Sequence, residues 1–332
     1  VQLRHKMAQK LGYKNFVELG YINMGRTDYN AKDIGKFRQH ILKHVVPFAQ
    51  KIRQQKQERL GLESLRYYDR IMFKNGNPKP IHDSKGIVEA AKKMYHEMTP
   101  ETGAFFDFMQ ENEQMDLESR TNKYQGGYNA PLSAYASSFI LANFNGTSAD
   151  VDVLTHEMGH AFQTYQSKEV SKKSIDYLFP TIETAEIHSM GMEFLVWNWY
   201  ELFFGADTAK FKYEKVAGNI SSLLSMCLGD HFQEMVYENP NCSVEERTKM
   251  NADLSKKYHP HFNDDYYEGN EFIKKGEGWQ VVSHFYNTPF YYIDYALATV
   301  CALQLWQKSQ TNFDEAWKDY LKLCQLGGSK PF

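Results

Sequence analysis

The stretch NFNGTSADVDVLTHEMGHAFQ, residues 143–163, decides the fold that this sequence predicts. It begins at the end of an aromatic and apolar run, 138–144, which is typical of a short strand. The Asn-Gly pair at 145–146 then indicates a turn, and an acidic segment leads into a helical pattern over 150–166. Inside that helix stands HEMGH, residues 156–160, whose four-residue step places both imidazoles on one face. We therefore predict a strand, a turn and a helix that presents two histidines together.

The HEMGH pattern is typical of a zinc site. Neutral imidazole nitrogens bind Zn²⁺, and a catalytic site adds a third protein ligand while one position stays open for water. We predict His156 and His160 as zinc ligands, and Glu157 as the general base that removes a proton from the zinc-bound water. A chance match in an amphipathic helix is the simpler alternative, but the acidic helix start and the apolar pair Ala161-Phe162 favour the metal site. One ion per chain is expected, and Mn²⁺ or Co²⁺ could replace zinc.

A second helical segment, 181–200, offers the third ligand. Its glutamates Glu183, Glu186 and Glu193 stand at spacings of three and seven residues and share one face. Such an acidic stripe is unusual on a helix otherwise rich in Met, Phe, Trp and Leu, although a solvent-exposed helix face is the alternative. We predict Glu186, at the centre of the stripe, as the third ligand, and Glu193 as an acid or as a hydrogen-bond partner of a ligand. His188 on the same helix fits a hydrogen-bonded histidine better than a ligand.

Composition excludes several other classes of protein. The 332 residues are 42% hydrophobic, 24% charged and 15% aromatic, which is too apolar for a disordered chain. A net charge of -3, with Lys and Arg spread along the chain, argues against a nucleic-acid partner. The sequence has no apolar run of about 18 residues that could span a bilayer, and its first residues lack a signal-peptide pattern. Neither a membrane partner nor secretion is therefore expected.

The cysteines indicate a reducing compartment. They are far apart in the sequence and do not form a C-x-x-C pair, so free thiols explain them better than a disulfide framework. The four positions are Cys227, Cys242, Cys301 and Cys324. We therefore predict a cytoplasmic protein, and the sequence leaves its oligomeric state open.

The rest of the chain predicts a mainly α fold with a small β-sheet, an α+β class. Periodic apolar positions predict helices over the segments 31–61, 84–98, 101–115, 150–166, 181–204, 208–237, 289–309 and 313–326. The polar, glycine-bearing stretch 116–131 is the best candidate for a junction between lobes. Because the chain begins at Val1 rather than Met and stops inside what reads as a continuing sequence, we expect residues 1–332 to be a fragment of a longer protein.

Residues 143–163 and the segment TAEIHSMGMEF, 184–194, resemble the oligoendopeptidase F branch of the thimet oligopeptidase family, and the resemblance runs along most of the chain. That family comprises intracellular zinc oligopeptidases of the gluzincin type. The resemblance implies a zincin-like helical catalytic domain with a deep substrate cleft, and it implies Glu186, with Ser189 three residues later, as the third ligand. In two respects the sequence departs from expectation: Met190 stands where other zinc peptidases often carry Asp, and the family's N-terminal region, which helps to wall the cleft, is expected to be missing.

The resemblance also assigns a function to residues 284–298, HFYNTPFYYIDYALA, which look like a late helix of the family. There a histidine and tyrosine hydroxyls stabilise the oxyanion of the tetrahedral intermediate, a function that suits imidazole and phenol donors in a dry cleft. The positions that match are His284, Tyr292 and Tyr295. Tyr286 or Tyr291 could replace either of these tyrosines.

Together these features predict a zinc-dependent metallo-endopeptidase that hydrolyses short, extended peptides. The strand 138–144 is expected to form the edge that pairs with the substrate backbone, which would let many sequences bind. A dipeptidyl carboxypeptidase is an alternative, since it would use the same zinc chemistry at the free C-terminus of a peptide. A non-catalytic helical peptide-binding domain with a structural zinc is another, and it would need a fourth protein ligand.

Overall fold

The structure is a computed structural model, and it describes residues 1–132 and 137–332. The chain forms two compact units: unit 1 comprises Val1–Asn77, Glu214–Leu297 and Phe332, and unit 2 comprises Pro78–Tyr213 and Ala298–Pro331. Residues 116–131 lie inside unit 2, so the junction predicted there does not coincide with a boundary of these units. That residues 1–332 are the catalytic portion of a longer protein stays a prediction.

Helices make up most of the described residues, as the predicted fold class requires. Their bounds, in chain order, are α1 (Gln2–Lys10), α2 (Phe16–Asn23), α3 (Ala31–His40), α4 (Val46–Leu60), α5 (Ser84–Met98), α6 (Pro100–Glu111), α7 (Ala149–Tyr165), α8 (Ile182–Leu195), α9 (Glu201–Phe204), α10 (Thr208–Glu238), α11 (Val244–Tyr258), α12 (Glu271–Lys274), α13 (Ser283–Asn287), α14 (Tyr292–Thr311) and α15 (Phe313–Leu326). A π-helical turn, Ile41–Val45, joins α3 to α4, and another, Gln166–Val170, follows α7. Among the described helices, none is both long and apolar enough to cross a membrane.

Several helices begin at side chains that cap their first turn. The Asp83 carboxylate accepts a hydrogen bond from the backbone N–H of Gly86 at the start of α5. Ser243 and Glu246 exchange reciprocal hydrogen bonds at the start of α11. These contacts satisfy N–H groups that have no partner within the helix, and each stabilises its helix by about 1 kcal/mol. The caps therefore fix where α5 and α11 begin.

A small sheet lies in unit 2 and completes the predicted α+β class. Within the described residues it has the strands β1 (Met115–Glu118), β2 (Tyr128–Leu132) and β3 (Ser137–Phe144), in the order β1-β3-β2. β1 runs parallel to β3, and β2 runs antiparallel to it. The strand predicted over 138–144 is β3 and is confirmed. The prediction that it forms an edge is wrong, because β3 pairs on both sides and β2 takes an edge position.

Helix α7 packs against both β3 and α8 in unit 2. Ile140 of β3 and Leu154 and Phe162 of α7 are fully buried in one hydrophobic cluster. Burial of a large apolar side chain of this kind stabilises the fold by about 2–3 kcal/mol. The core thus fixes α7, the helix that carries HEMGH, against the sheet.

Candidate functional site

Helices α7 and α8 bring three donor side chains together in unit 2. His156 and His160 lie one turn apart on α7, with their ring centroids 5.0 Å apart. Oε2 of Glu186, on α8, lies 3.4 Å from Nε2 of His156 and 3.6 Å from Nε2 of His160. One donor atom from each residue lies within 4.8 Å of the other two. We call His156, His160 and Glu186 the metal cluster.

The metal cluster fits a zinc ion. Two imidazole nitrogens and one carboxylate oxygen form the ligand set of many catalytic zinc sites, and they bind the metal at about 2.0–2.2 Å. Tetrahedral ligands at that distance are separated from one another by about 3.4 Å. The measured separations of 3.4 and 3.6 Å agree with this value. Both histidine side chains are partly exposed, whereas Glu186 is buried.

Two further side chains hold residues of the metal cluster in place. Nδ1 of His156 lies 2.7 Å from Oε1 of Glu193, and a proton donated there leaves Nε2 free to bind a metal. The hydroxyl of Ser189 donates to Oε2 of Glu186 at 2.9 Å. Glu193 therefore supplies a carboxylate beside the ligands, although Met190 stands at the position where a carboxylate was expected.

Glu157 is buried beside the metal cluster. Burial raises the pKa of its carboxyl group to about 7; His156 lowers this pKa, whereas the nearby carboxylates of Glu186 and Glu193 raise it. The backbone of Asn129, in β2, lowers the same pKa. A carboxyl group with a pKa near neutrality can both take up and release a proton.

The two histidines of the metal cluster lie in different electrostatic surroundings. Burial lowers the pKa of His156, but its hydrogen bonds with Glu186 and Glu193 outweigh burial and hold that pKa well above the usual 6.5. Burial lowers the pKa of His160 to about 4, although the Glu186 carboxylate opposes this shift. The carboxylates of α8 therefore favour positive charge on the His156 side of the cluster.

Gly159, the fourth residue of HEMGH, has a structural function that the motif alone does not reveal. A Cβ at this position would lie 2.5 Å from the carbonyl oxygen of His188 and 2.7 Å from Cα of Ser189. Because these are backbone atoms of α8, a side chain could be accommodated only if the two helices moved apart. The distance from Glu186 to the histidines depends on this close crossing. A glycine inside a strongly helical pattern was the available sequence signal.

The other polar residues of α8 are buried rather than exposed. Glu183 and Glu193 are both buried, so the alternative of a solvent-exposed acidic face is wrong. His188 is fully buried as well, and burial lowers its pKa to about 4. The hydroxyl of Tyr320 donates to the backbone carbonyl of His188 at 2.7 Å. His188 therefore belongs to the packing of α8 against α15 and is not one of the grouped donor residues.

In unit 1, α13, α14 and the turn between them gather one histidine and three tyrosines. The ring centroid of His284 lies 5.3 Å from that of Tyr291 and 5.5 Å from that of Tyr292. The ring of Tyr295 lies 6.1 Å from the same histidine. The hydroxyl of Tyr291 donates to that of Tyr295 at 2.7 Å. We call His284, Tyr291, Tyr292 and Tyr295 the His–Tyr cluster.

The remaining tyrosines differ from the hydroxyl pair. Tyr292 packs on α10, where a Cβ at Gly229 would lie 2.7 Å from its Cδ1, and burial raises the pKa of its hydroxyl. Tyr286 is 48% exposed, and its hydroxyl donates to a backbone carbonyl at 3.2 Å. The geometry therefore favours Tyr291 and Tyr295 over Tyr292 and Tyr286 as a pair of hydroxyl donors.

Comparisons with known proteins agree with the fold described above. Residues 1–332 match the model of peptidase family M3. The chain is similar to the solved structure of PZ peptidase A with an inhibitor, at 49% identity and a TM-score of 0.95, over 100% of this chain and 58% of that one. It is 28% identical over 225 residues to an oligoendopeptidase F homolog of Borreliella burgdorferi, covering 65% of this chain and 36% of the relative. An oligoendopeptidase F homolog of Mycoplasma genitalium is 24% identical over 239 residues, covering 65% and 37%.

The chain thus spans a little over a third of the length of these curated relatives and 58% of the solved structure. The high structural similarity over the whole chain confirms the mainly α fold with a small sheet. The names of the curated relatives confirm the resemblance to the oligoendopeptidase F branch. Because the family match covers every residue of the sequence, the chain belongs to peptidase family M3.

Proposed function

We propose that this chain carries the reaction centre of a zinc-dependent metallo-endopeptidase that hydrolyses short, extended peptides. The observation that carries the proposal is the metal cluster, in which Oε2 of Glu186 lies at the spacing of zinc ligands from both histidines, with Glu157 buried beside them. Membership of peptidase family M3 supports a peptidase. Because the chain spans only part of its relatives, the activity and substrates of the whole protein belong to this proposal.

His156, His160 and Glu186 would hold one zinc ion per chain. When bound, zinc supplies a Lewis acid that polarises the scissile carbonyl and makes water more acidic. Three protein ligands leave one tetrahedral position for water or substrate, whereas a structural zinc is closed by a fourth. Within residues 1–132 and 137–332, the group of potential donors contains three residues, which supports a catalytic rather than a structural site.

Glu157 would act as the general base. It accepts a proton from the attacking water and passes the proton to the leaving amine. Its burial limits solvation of the carboxylate, which makes the carboxylate more basic. Glu193 keeps the Nδ1 proton of His156 directed away from the metal position, so that Nε2 stays a ligand.

The His–Tyr cluster would donate hydrogen bonds to the oxyanion that develops on the substrate carbonyl. A single well-placed donor of this kind typically lowers the barrier by about 3–4 kcal/mol. His284 and Tyr295 are the first candidates from the family resemblance. We add Tyr291 as the partner that orients Tyr295, because the Tyr291 hydroxyl donates to that of Tyr295. Tyr292, which the resemblance also selects, is the alternative donor.

We further propose that β2 rather than β3 pairs with an extended substrate. In the described part of the sheet β2 lies at an edge, and its residue Asn129 contacts Glu157. An edge strand binds a peptide mainly through backbone hydrogen bonds, so many sequences would be accepted. We therefore propose short peptides as the partners, and we propose neither a nucleic-acid partner nor a membrane partner.

A cytoplasmic location is also part of the proposal. All four cysteines lie in the described residues, and each is free rather than in a disulfide. Unpaired thiols are typical of proteins in a reducing compartment. The family resemblance to intracellular peptidases points the same way.

The test is the substitution Glu157→Gln, which keeps the size of the side chain and removes the base. We expect zinc content to stay at one ion per chain while turnover falls about 1,000-fold or more. The assay is hydrolysis of an internally quenched peptide blocked at both ends, before and after chelation and zinc return. Glu201→Gln, at an exposed position of unit 2, is the matched control and should keep wild-type turnover.

The alternatives are separated by repeating that assay with a peptide whose C-terminus is free. Normal turnover of Glu157→Gln would rule out the proposed base. Cleavage that requires a free C-terminus would indicate a dipeptidyl carboxypeptidase. A chain that binds zinc and cleaves neither peptide would indicate an incomplete substrate cleft or a peptide-binding domain with a structural zinc.

A further inference from the structure

The turn that joins α13 to α14 has an unusual backbone conformation. Phe290, two residues before the start of α14, has a φ of 67°, which lies in the left-handed region. It is also fully buried. This conformation is unfavourable for a residue that carries a Cβ, and glycine would adopt it more easily. The surroundings of Phe290 must therefore impose the turn.

Gln233 of α10 and Arg26, which lies between α2 and α3, hold both backbone groups of Phe290. Its N–H donates to Oε1 of Gln233 at 2.9 Å, and its carbonyl accepts from Nη2 of Arg26 at 2.6 Å. Gly20 of α2 makes room for the ring, because a Cβ there would lie 2.6 Å from Cδ2 of Phe290. Gln233 and Arg26 are both buried, so water cannot readily replace either hydrogen bond.

Arg26 is also bonded to α14 itself. The same Nη2 atom donates to Oδ1 of Asp294, and the two side chains are 0% exposed. The guanidinium lies over two tyrosine rings, at 4.5 and 5.5 Å from their centroids. Asp294 stands three residues after Tyr291 and one before Tyr295. A single nitrogen thus ties the carbonyl of Phe290, which directly precedes Tyr291, to the first turn of the helix that carries Tyr295.

A buried ion pair is a weak source of stability, because removing both charges from water offsets much of their attraction. A planar guanidinium that lies over two aromatic rings has a fixed orientation, so it is better suited to setting geometry. We propose that Arg26 is a positioning residue for the His–Tyr cluster. Through Phe290 and Asp294 it sets the angle between the turn and α14, and with it the Tyr291–Tyr295 hydroxyl pair. The kinetic consequence rests on the proposed function, whereas the structural consequence does not.

The kinetic test compares Arg26→Lys with Arg38→Lys. Lysine keeps the positive charge, but its ammonium lacks the planar face that lies over the two tyrosine rings and fixes the direction of Nη2. We expect Arg26→Lys to lower kcat about 10–100-fold with little change in KM, because the hydroxyls act on the transition state. Arg38 is the matched control: it is 6% exposed against 5% for Arg26, and it pairs with Asp230 and Glu234 of α10. Arg38→Lys should lose similar stability and keep kcat within about twofold.

A second measurement reports the state of the Tyr291–Tyr295 hydroxyl pair independently of catalysis. 3-Fluorotyrosine is placed at position 295, and its ¹⁹F resonance is recorded in each variant. Tyr291→Phe removes the hydroxyl partner and gives the reference shift for a broken pair. We expect Arg26→Lys to move the resonance towards that reference, and Arg38→Lys to leave it at the wild-type position. Asp294→Asn retains a side-chain oxygen for Arg26, so it should move the resonance less than Arg26→Lys does. This variant replaces Arg26→Lys in the test if Arg26→Lys does not fold.

The two readouts separate the positioning proposal from the proposed function. An unchanged ¹⁹F resonance in Arg26→Lys and Asp294→Asn would overturn the positioning of the hydroxyl pair. Equal loss of kcat in both arginine variants would do the same, because buried charge in general would then be the cause. If the wild-type chain hydrolyses no peptide while the resonance moves only in the Arg26 and Asp294 variants, the positioning stands and the proposed function fails.

Discussion

The metal cluster of unit 2 and the His–Tyr cluster of unit 1 are built by different means. The metal cluster lies on two regular helices, α7 and α8, whose close crossing requires the missing side chain of Gly159. The His–Tyr cluster depends on an irregular turn at Phe290, which a buried arginine holds in a left-handed conformation. The metal cluster should therefore be most sensitive to substitutions that add volume. The His–Tyr cluster should be most sensitive to substitutions that remove hydrogen bonds.

The two clusters also differ in how far their supporting contacts reach along the chain. His156 and its partner Glu193 are 37 residues apart, on neighbouring helices. Arg26 and Phe290 are 264 residues apart. Local spacing can predict the contact between His156 and Glu193 once the two helices are recognised. The contact between Arg26 and Phe290 forms only after distant segments of the chain have packed together.

The largest effect is expected from Gly159→Ala. The added methyl group would have to displace backbone atoms of α8 that lie 2.5 and 2.7 Å from its position. We expect unit 2 to lose about 3 kcal/mol of stability and zinc affinity to fall more than about 100-fold, because Glu186 moves away from the histidines. Competition with a chelator of known affinity measures zinc binding, and thermal unfolding measures stability.

Gly218→Ala in α10 is the matched control for that substitution. Among the described residues, no atom lies within 4 Å of a Cβ at this position. Alanine is favoured over glycine within a helix by about 1 kcal/mol, so stability should stay level or rise. Zinc affinity should be unchanged. If Gly159→Ala bound zinc as tightly as this control, the close crossing would not set the metal cluster.

The sequence was sufficient for features that depend on local spacing. The four-residue step of HEMGH and the position of Glu186 on a second helix predicted the three residues that the structure brings together. The apolar run at 138–144 predicted β3. Helical and strand periodicities are properties of neighbouring residues, so they can be read before any tertiary contact is known.

Features that depend on packing between distant segments could not be predicted in this way. The pairing partners of β3 lie in a polar, glycine-bearing stretch without strand periodicity, so β3 was taken for an edge. Tyr291 could not be separated from Tyr292, because their hydroxyl environments depend on α10 and on Phe290. The burial of Arg26 could not be predicted, because an arginine near a chain turn is ordinarily exposed.

The next effect tests the hydroxyl pair of the His–Tyr cluster. We expect Tyr295→Phe to lower kcat about 100-fold if its hydroxyl stabilises the oxyanion. Tyr291→Phe should lower kcat less than Tyr295→Phe, because it removes the partner of the donor. Tyr292→Phe should have the smallest effect, because that ring is packed on α10 and its hydroxyl is outside the pair. Steady-state hydrolysis of the quenched peptide measures all three, and a largest loss in Tyr292→Phe would identify Tyr292 as the donor instead.

The smallest effect concerns an ion-pair network in unit 2 that contrasts with the buried Arg26–Asp294 pair. Asp116 of β1 accepts two hydrogen bonds from Arg120 at 2.6 Å each, and one from Lys123 at 3.0 Å. Lys123 has a side chain that is 2% exposed, whereas that of Arg120 is 57% exposed. Solvent screens the Arg120 contact, so breaking this network should cost less than breaking the buried pair in unit 1, where removal of one partner leaves an uncompensated buried charge.

We expect Asp116→Asn to lower the free energy of unfolding by about 1 kcal/mol at pH 7. The hydrogen bonds from Arg120, followed by Lys123, hold the pKa of Asp116 below its ordinary value although burial opposes them. A carboxyl group with a lowered folded-state pKa stabilises the fold above its unfolded pKa of about 4 and loses that contribution as the pH falls. The difference between wild type and Asp116→Asn should therefore shrink between pH 7 and pH 3, as measured by urea unfolding. A difference that grew towards pH 3 would show that the neutral carboxyl, rather than the carboxylate, is the stabilising form, and the contrast with the buried pair would then need another cause.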